Sequence, residues 1–80
     1  MRHYRISVLP SSRLARVVVA WDPAERHYVC EQISTDGGSD RKSFGSLREL
    51  IFHTQWVASF DDLVLRALLK DRARSLEGGR

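Results

Sequence analysis

The side chains that carry chemistry in this sequence are few: His3, His27, His53, Cys30, Ser46 and the adjacent acids Asp61 and Asp62. Three histidines and a cysteine are metal-ligand types, but a built zinc site needs ligands at short paired spacing. Neither CxxC nor HExxH occurs, and His3 and His27 each fall alone on a strand. Ser46 follows Phe44-Gly45 at a strand-to-helix junction, the place where a hydrolase holds its nucleophile. The GxSxG frame is absent, however, and a helix-capping role already accounts for this serine. Gly37-Gly38 is too short a glycine run to cradle a phosphate and does not open a helix. Asp61 and Asp62, at a helix start, project about 100° apart and make a poor acid–base pair. The expectation is a protein without catalytic residues, cofactor or metal, one that works by binding.

Cys30 lies in the apolar-leaning run Tyr28-Val29-Cys30 and reads as a small core residue. A single cysteine allows no internal disulfide, which points to a reducing cytoplasm. No run approaches the roughly 18 apolar residues of a membrane helix. The basic start, Met1-Arg2-His3-Tyr4-Arg5, leads into alternation, not into the apolar run of a signal peptide. No membrane partner is expected. Thirteen basic against ten acidic residues give a net charge of +3, which favours acidic partners. The arginines are scattered, and the one dense cluster, Lys70, Arg72 and Arg74, reads as a solvated helix end that complements the helix dipole.

The elements that must position these groups change period half way along the chain. Residues 2–9 alternate, with Tyr4, Ile6 and Val8 on one face and His3, Arg5 and Ser7 on the other. Residues 14–21 form a strand rich in branched side chains, and Asp22-Pro23-Ala24-Glu25 turns the chain into a return strand at 27–34. Thr35-Asp36-Gly37-Gly38 predicts a hairpin through a type I′ turn, followed by a polar edge strand at 39–44. Ser46 and Glu49 match a capping box for a helix carrying Leu47, Leu50, Ile51 and Thr54 on one face and ending near Trp56-Val57. Ser59 is the expected cap of a second helix, its buried stripe drawn from Phe60, Leu63, Val64, Ala67 and Leu68, widened by Leu65 and Leu69. That helix runs to about Leu76 and stops at Gly78-Gly79.

The fold class is therefore α+β: one domain spanning residues 1–80, a four-stranded antiparallel meander with a two-helix hairpin on one face, ββββαα. Eighty residues hold one small core, with little volume left for a deep pocket. One layer of helices leaves the other sheet face open, and that face is the expected place of function. On the third strand Val29, Glu31 and Ile33 share one face, Tyr28, Cys30 and Gln32 the other. Tyr4 and Trp21 are aromatic types that anchor interfaces, although Trp21 shares its parity with the core-like Val17 and Val19.

This order of elements resembles the small phage-borne anti-CRISPR proteins that combine a four-stranded sheet with a helical hairpin and inhibit type I surveillance complexes. The likeness is carried by the basic-aromatic strand Met1 to Val8, the branched strand Val17 to Trp21, the Val29-Cys30-Glu31-Gln32 segment and the Phe44-x-Ser46 helix entry. It implies an inhibitor that grips the repeated backbone subunits holding the guide RNA of a type I Cascade complex and obstructs target DNA. By position it implicates Glu31 most directly, then Trp21 and Tyr4. Many anti-CRISPR proteins are acidic DNA mimics; this basic chain fits protein-surface blocking instead. The candidate partner-binding set is Tyr4, Ile6, Trp21, Val29 and Glu31, in a cytoplasmic monomer inside a bacterial host. The alternatives are a small basic nucleic-acid-binding or antitoxin-like regulator, and an accessory protein–protein interaction subunit.

Overall fold

A computed structural model describes residues 1–78 of the chain. Four strands follow the expected meander: β1 (His3–Val8), β2 (Leu14–Asp22), β3 (His27–Ser34) and β4 (Ser39–Phe44). Two helices follow, α1 (Leu47–Thr54) and α2 (Asp62–Gly78), separated by a two-residue strand, β5 (Ala58–Ser59). Among the described residues the sheet has the order β4-β3-β2-β1-β5, every pairing antiparallel. The α+β meander with a helical pair is thus present, and β5 is an addition to it.

The turns form for identifiable reasons. Asp22 Oδ1 accepts the backbone N–H groups of Ala24 (3.0 Å) and Glu25 (3.3 Å), closing the β2–β3 loop as aspartate does in Asx turns. That loop ends on Arg26 at φ 58°, a left-handed conformation that a side chain adopts only at a cost. The β3–β4 hairpin differs from the type I′ expectation. Gly37, at φ 94°, is the one positive-φ residue there, and its N–H donates to Ser34 O at 3.0 Å. Asp36 keeps a negative φ, so the loop is a turn followed by a left-handed glycine, the other common hairpin solution. A bulge at Ala15 shifts the β2–β3 register between Leu14 and Arg16.

One helix starts two residues later than its sequence signal predicts. Ser46 caps α1, its Oγ accepting from Glu49 N at 3.2 Å, while the Glu49 carboxylate accepts from Gly45 N at 3.3 Å, one residue before the reciprocal bond of the expected box. Ser59 does not cap α2: it pairs with Ser7 in the sheet. Asp61 takes that role, its Oδ1 accepting from Leu63 N at 2.7 Å. The reason is the β1 edge, whose Leu9 N–H donates to Val57 O at 2.8 Å and draws the following residues into pairing. α1 accordingly ends at Thr54, two residues short of the expected end. The stop expected at Gly78-Gly79 lies partly outside the described residues.

The core lies between the helices and one sheet face. Ile6, Val17, Val19, Trp21, Tyr28, Cys30, Leu50, Ala58 and Leu68 form a single buried cluster. α1 lies over β3 and β4, α2 over β2. Buried Thr54 donates its hydroxyl to Leu50 O at 2.9 Å, which satisfies it inside its own helix. The expected α2 stripe narrows: Leu68 is fully buried and Val64 packs against the core, but Leu63 is 73% exposed and Leu69 49%. With one sheet beneath it and α1 displaced toward the far edge, α2 buries a narrower face than its sequence offers.

Candidate functional site

The register assigns every sheet residue to a face. Tyr4 pairs with Val19 and Ile6 with Val17, while Val19 pairs with Cys30 and Trp21 with Tyr28. These residues all point toward the helices. The opposite face carries His3, Arg5, Val18, Ala20, Val29, Glu31, Ile33 and Arg41, and neither helix covers it. The five expected contact residues therefore do not share a surface. Val29 and Glu31 lie on the uncovered face. Ile6 and Trp21 are 6% and 5% exposed in the core. Tyr4 is half-buried on the helix side, with its hydroxyl donating to Asp71 Oδ2 at 2.5 Å. Strand parity accounts for this: one step of two residues keeps a face, and Trp21 follows Val17 and Val19 into the core.

Glu31 stands in a cross-sheet row. Arg5 on β1 pairs with Val18, Val18 with Glu31, and Glu31 with Arg41 on the edge strand. Its cross-strand partner is thus a cation, yet the Arg41 guanidinium turns to Asp22, 3.9 Å away. Glu31 is half-buried, and its carboxylate has no hydrogen bond or ion pair among the described residues. Around it, His3, Val18, Val29 and Arg41 enclose a depression of only about 30 Å³, enough for the tip of one side chain. Val29 (7% exposed) and Ala20 (2%) are already covered by their neighbours, so the face presents half-buried Val18 and Ile33 among charged side chains. Such a surface suits a macromolecular contact with a basic or N–H donor group set against Glu31.

A second concave surface was not expected from the sequence. Phe44, Arg48, Glu49, Phe52, His53 and Trp56 line a groove of about 630 Å³ between α1 and β4. Phe52 is 55% exposed and Trp56 72%, while the Phe44 and His53 rings meet at a 42° tilt with centroids 4.9 Å apart. The legible signal was their spacing: Phe52 and Trp56 stand four apart, off the stripe of Leu47, Leu50, Ile51 and Thr54.

Cys30 is 1% exposed, and burial pushes its thiol up to about 11, so it is poorly placed to act as a nucleophile. Among the described residues no three His, Cys, Asp or Glu side chains gather as metal ligands, and no helix is long and apolar enough to cross a membrane. Compared with protein-family models, with curated proteins and with solved structures, the chain matches none.

Proposed function

We propose that this protein is a non-catalytic inhibitor that docks on a type I CRISPR surveillance complex through its uncovered sheet face, against the repeated backbone subunits, and so blocks target DNA. The observation that carries this reading is Glu31, an unpartnered carboxylate on a face no helix covers, at the position the anti-CRISPR resemblance marks as contact-making. A free carboxylate beside half-buried Val18 can accept charge-assisted hydrogen bonds from a partner's arginine or lysine while Val18 is desolvated next to it. Blocking then needs no chemistry, only an interface of ordinary size, about 800 Å² on each partner. The contact set contracts to Glu31 with its neighbours Val18, Arg5 and His3; Val29, 7% exposed, lies beneath them, and Ile6 and Trp21 support the sheet from its covered face.

The test is retention of tagged protein by purified type I complexes, followed by target-DNA binding on those retained. Glu31→Ala, an exposed-face change that leaves the core intact, is expected to weaken retention at least tenfold and restore DNA binding. Full inhibition by the Glu31→Ala protein, or failure of every type I complex to retain the wild type, would remove this reading.

A further inference from the structure

Arg66, Lys70 and Arg74 recur at four-residue intervals along α2 and are all exposed. At 1.5 Å per residue they set three cations about 6 Å apart along a ridge that slants gently round the helix. The run Lys70, Arg72, Arg74 that stands out in the sequence is re-sorted by the helix. Arg72 turns to the other side, its guanidinium 5.8 Å from the Trp21 ring centroid, and Arg66 takes its place in the row. Across from this ridge lies Arg2, and together they border a groove of about 390 Å³ whose wall includes Tyr4, Leu63 and Asp71.

Helix-end electrostatics does not account for the row. The dipole acts within the last turn, whereas Arg66 and Lys70 lie in the first two-thirds of a helix running from Asp62 to Gly78. Like charges four apart repel one another, and none of the three makes an ion pair among the described residues. The one acid in the groove, Asp71, is engaged by the Tyr4 hydroxyl at 2.5 Å, with Arg2 facing the same hydroxyl. The groove therefore carries four cations against one carboxylate that is already held.

We propose that this groove, formed by Arg2, Arg66, Lys70 and Arg74, binds the phosphate backbone of nucleic acid without reading its sequence. Evenly spaced cations on a gently slanting ridge match a linear polymer with regularly repeated anions better than the irregular acids of a folded protein. Exposed Leu63 at the groove's end offers an apolar contact for the sugars. The site stands on α2 and the start of β1, apart from the Glu31 face, and does not depend on what that face binds.

The experiment is fluorescence anisotropy with a labelled 20-base-pair DNA duplex, titrated from 50 to 200 mM salt. Four phosphate contacts give a slope of log K against log salt of about −3.6, roughly a hundredfold loss across that range. Substituting Arg66, Lys70 and Arg74 together by alanine is expected to bring the slope to about −1. Circular dichroism of this surface variant confirms that it remains folded. A control variant with Arg13, Arg16 and Lys42 changed to alanine removes the same charge elsewhere and is expected to keep the full slope. No binding at 50 mM salt, or equal slopes for the two variants, overturns the proposal. So does binding to poly-glutamate or to vesicles of anionic lipid with the duplex left unbound, which would assign the groove to an acidic protein or a membrane surface.

Discussion

Tyr28 is fully buried against the edge of Trp21, ring centroids 4.9 Å apart, and two polar atoms of this pair stand out: neither the Tyr28 hydroxyl nor Trp21 Nε1 has a hydrogen-bond partner among the described residues. A buried polar group left unpaired costs about 1–3 kcal/mol. The ring contact needs only the rings. Tyr28→Phe keeps the ring and removes the orphan hydroxyl, so it is expected to stabilise the fold by about 1 kcal/mol, read as a rise in Tm of about 4–8 °C. An unchanged or lowered Tm would mean that the hydroxyl is satisfied in solution. Removing the ring instead, by Tyr28→Ala, would leave a cavity at the centre of the core and cost several times more. Residue-scale reading of the sequence found these aromatics but placed Trp21 at the interface; parity with Val17 and Val19 was the better guide.

At the scale of elements, the strands were legible almost to the residue, because alternation, branched side chains and the Asp22 and Gly37 turns agree with one another. The short strand β5 was not legible. Two residues carry no periodicity, and they become a strand only because the β1 edge lies beside them. Its presence moves the start of α2 from Ser59 to Asp61, which yields a direct check. Asp61→Ala removes the 2.7 Å bond to Leu63 N and is expected to cost about 1 kcal/mol, measured as a lowered urea midpoint at constant m. Ser59→Ala, at an exposed strand position, is expected to cost little; equal losses from the two would return the cap to Ser59. The face assignments were half legible in the same way. Alternation groups Glu31 with Val29, but which group is covered depends on where the helices land, and only their packing on Leu50 and Leu68 decides that.

For the whole molecule, stability is tied to pH on the alkaline side. Burial holds the Cys30 thiol protonated, raising it from 9.0 to about 11, with a hydrogen bond from Gln32 opposing and the charge of Asp40 adding to the shift. Tyr4 is raised as well, by burial first and then by its bond to Asp71. Both groups are neutral when protonated, and the folded state keeps the proton longer than the unfolded chain. The thiol's contribution is therefore complete below pH 9 and is lost as pH rises from 9 to 11, by about 2–3 kcal/mol in total. Urea midpoints should be flat from pH 7 to 8.5 and fall above 9. Cys30→Ala is expected to flatten most of that fall, leaving the smaller part due to Tyr4. A decline just as steep in the alanine variant would place the alkaline limb elsewhere.

The pairing of β1 with β5 has a consequence for how the chain is made. Ser7 meets Ser59, and Tyr4 meets Asp71 across 67 residues. During synthesis β1 is made before its partners: one of its edges waits for residues 58–59 and its covered face for Leu68. At roughly 5–20 residues per second, about 1–5 seconds separate the making of Phe44 from that of Leu68. Through that interval the face that will become the core is open to water and to neighbouring chains. The charges of Asp40, Arg41 and Lys42 on the outer strand then oppose wrong pairing along the β4 edge until α2 arrives.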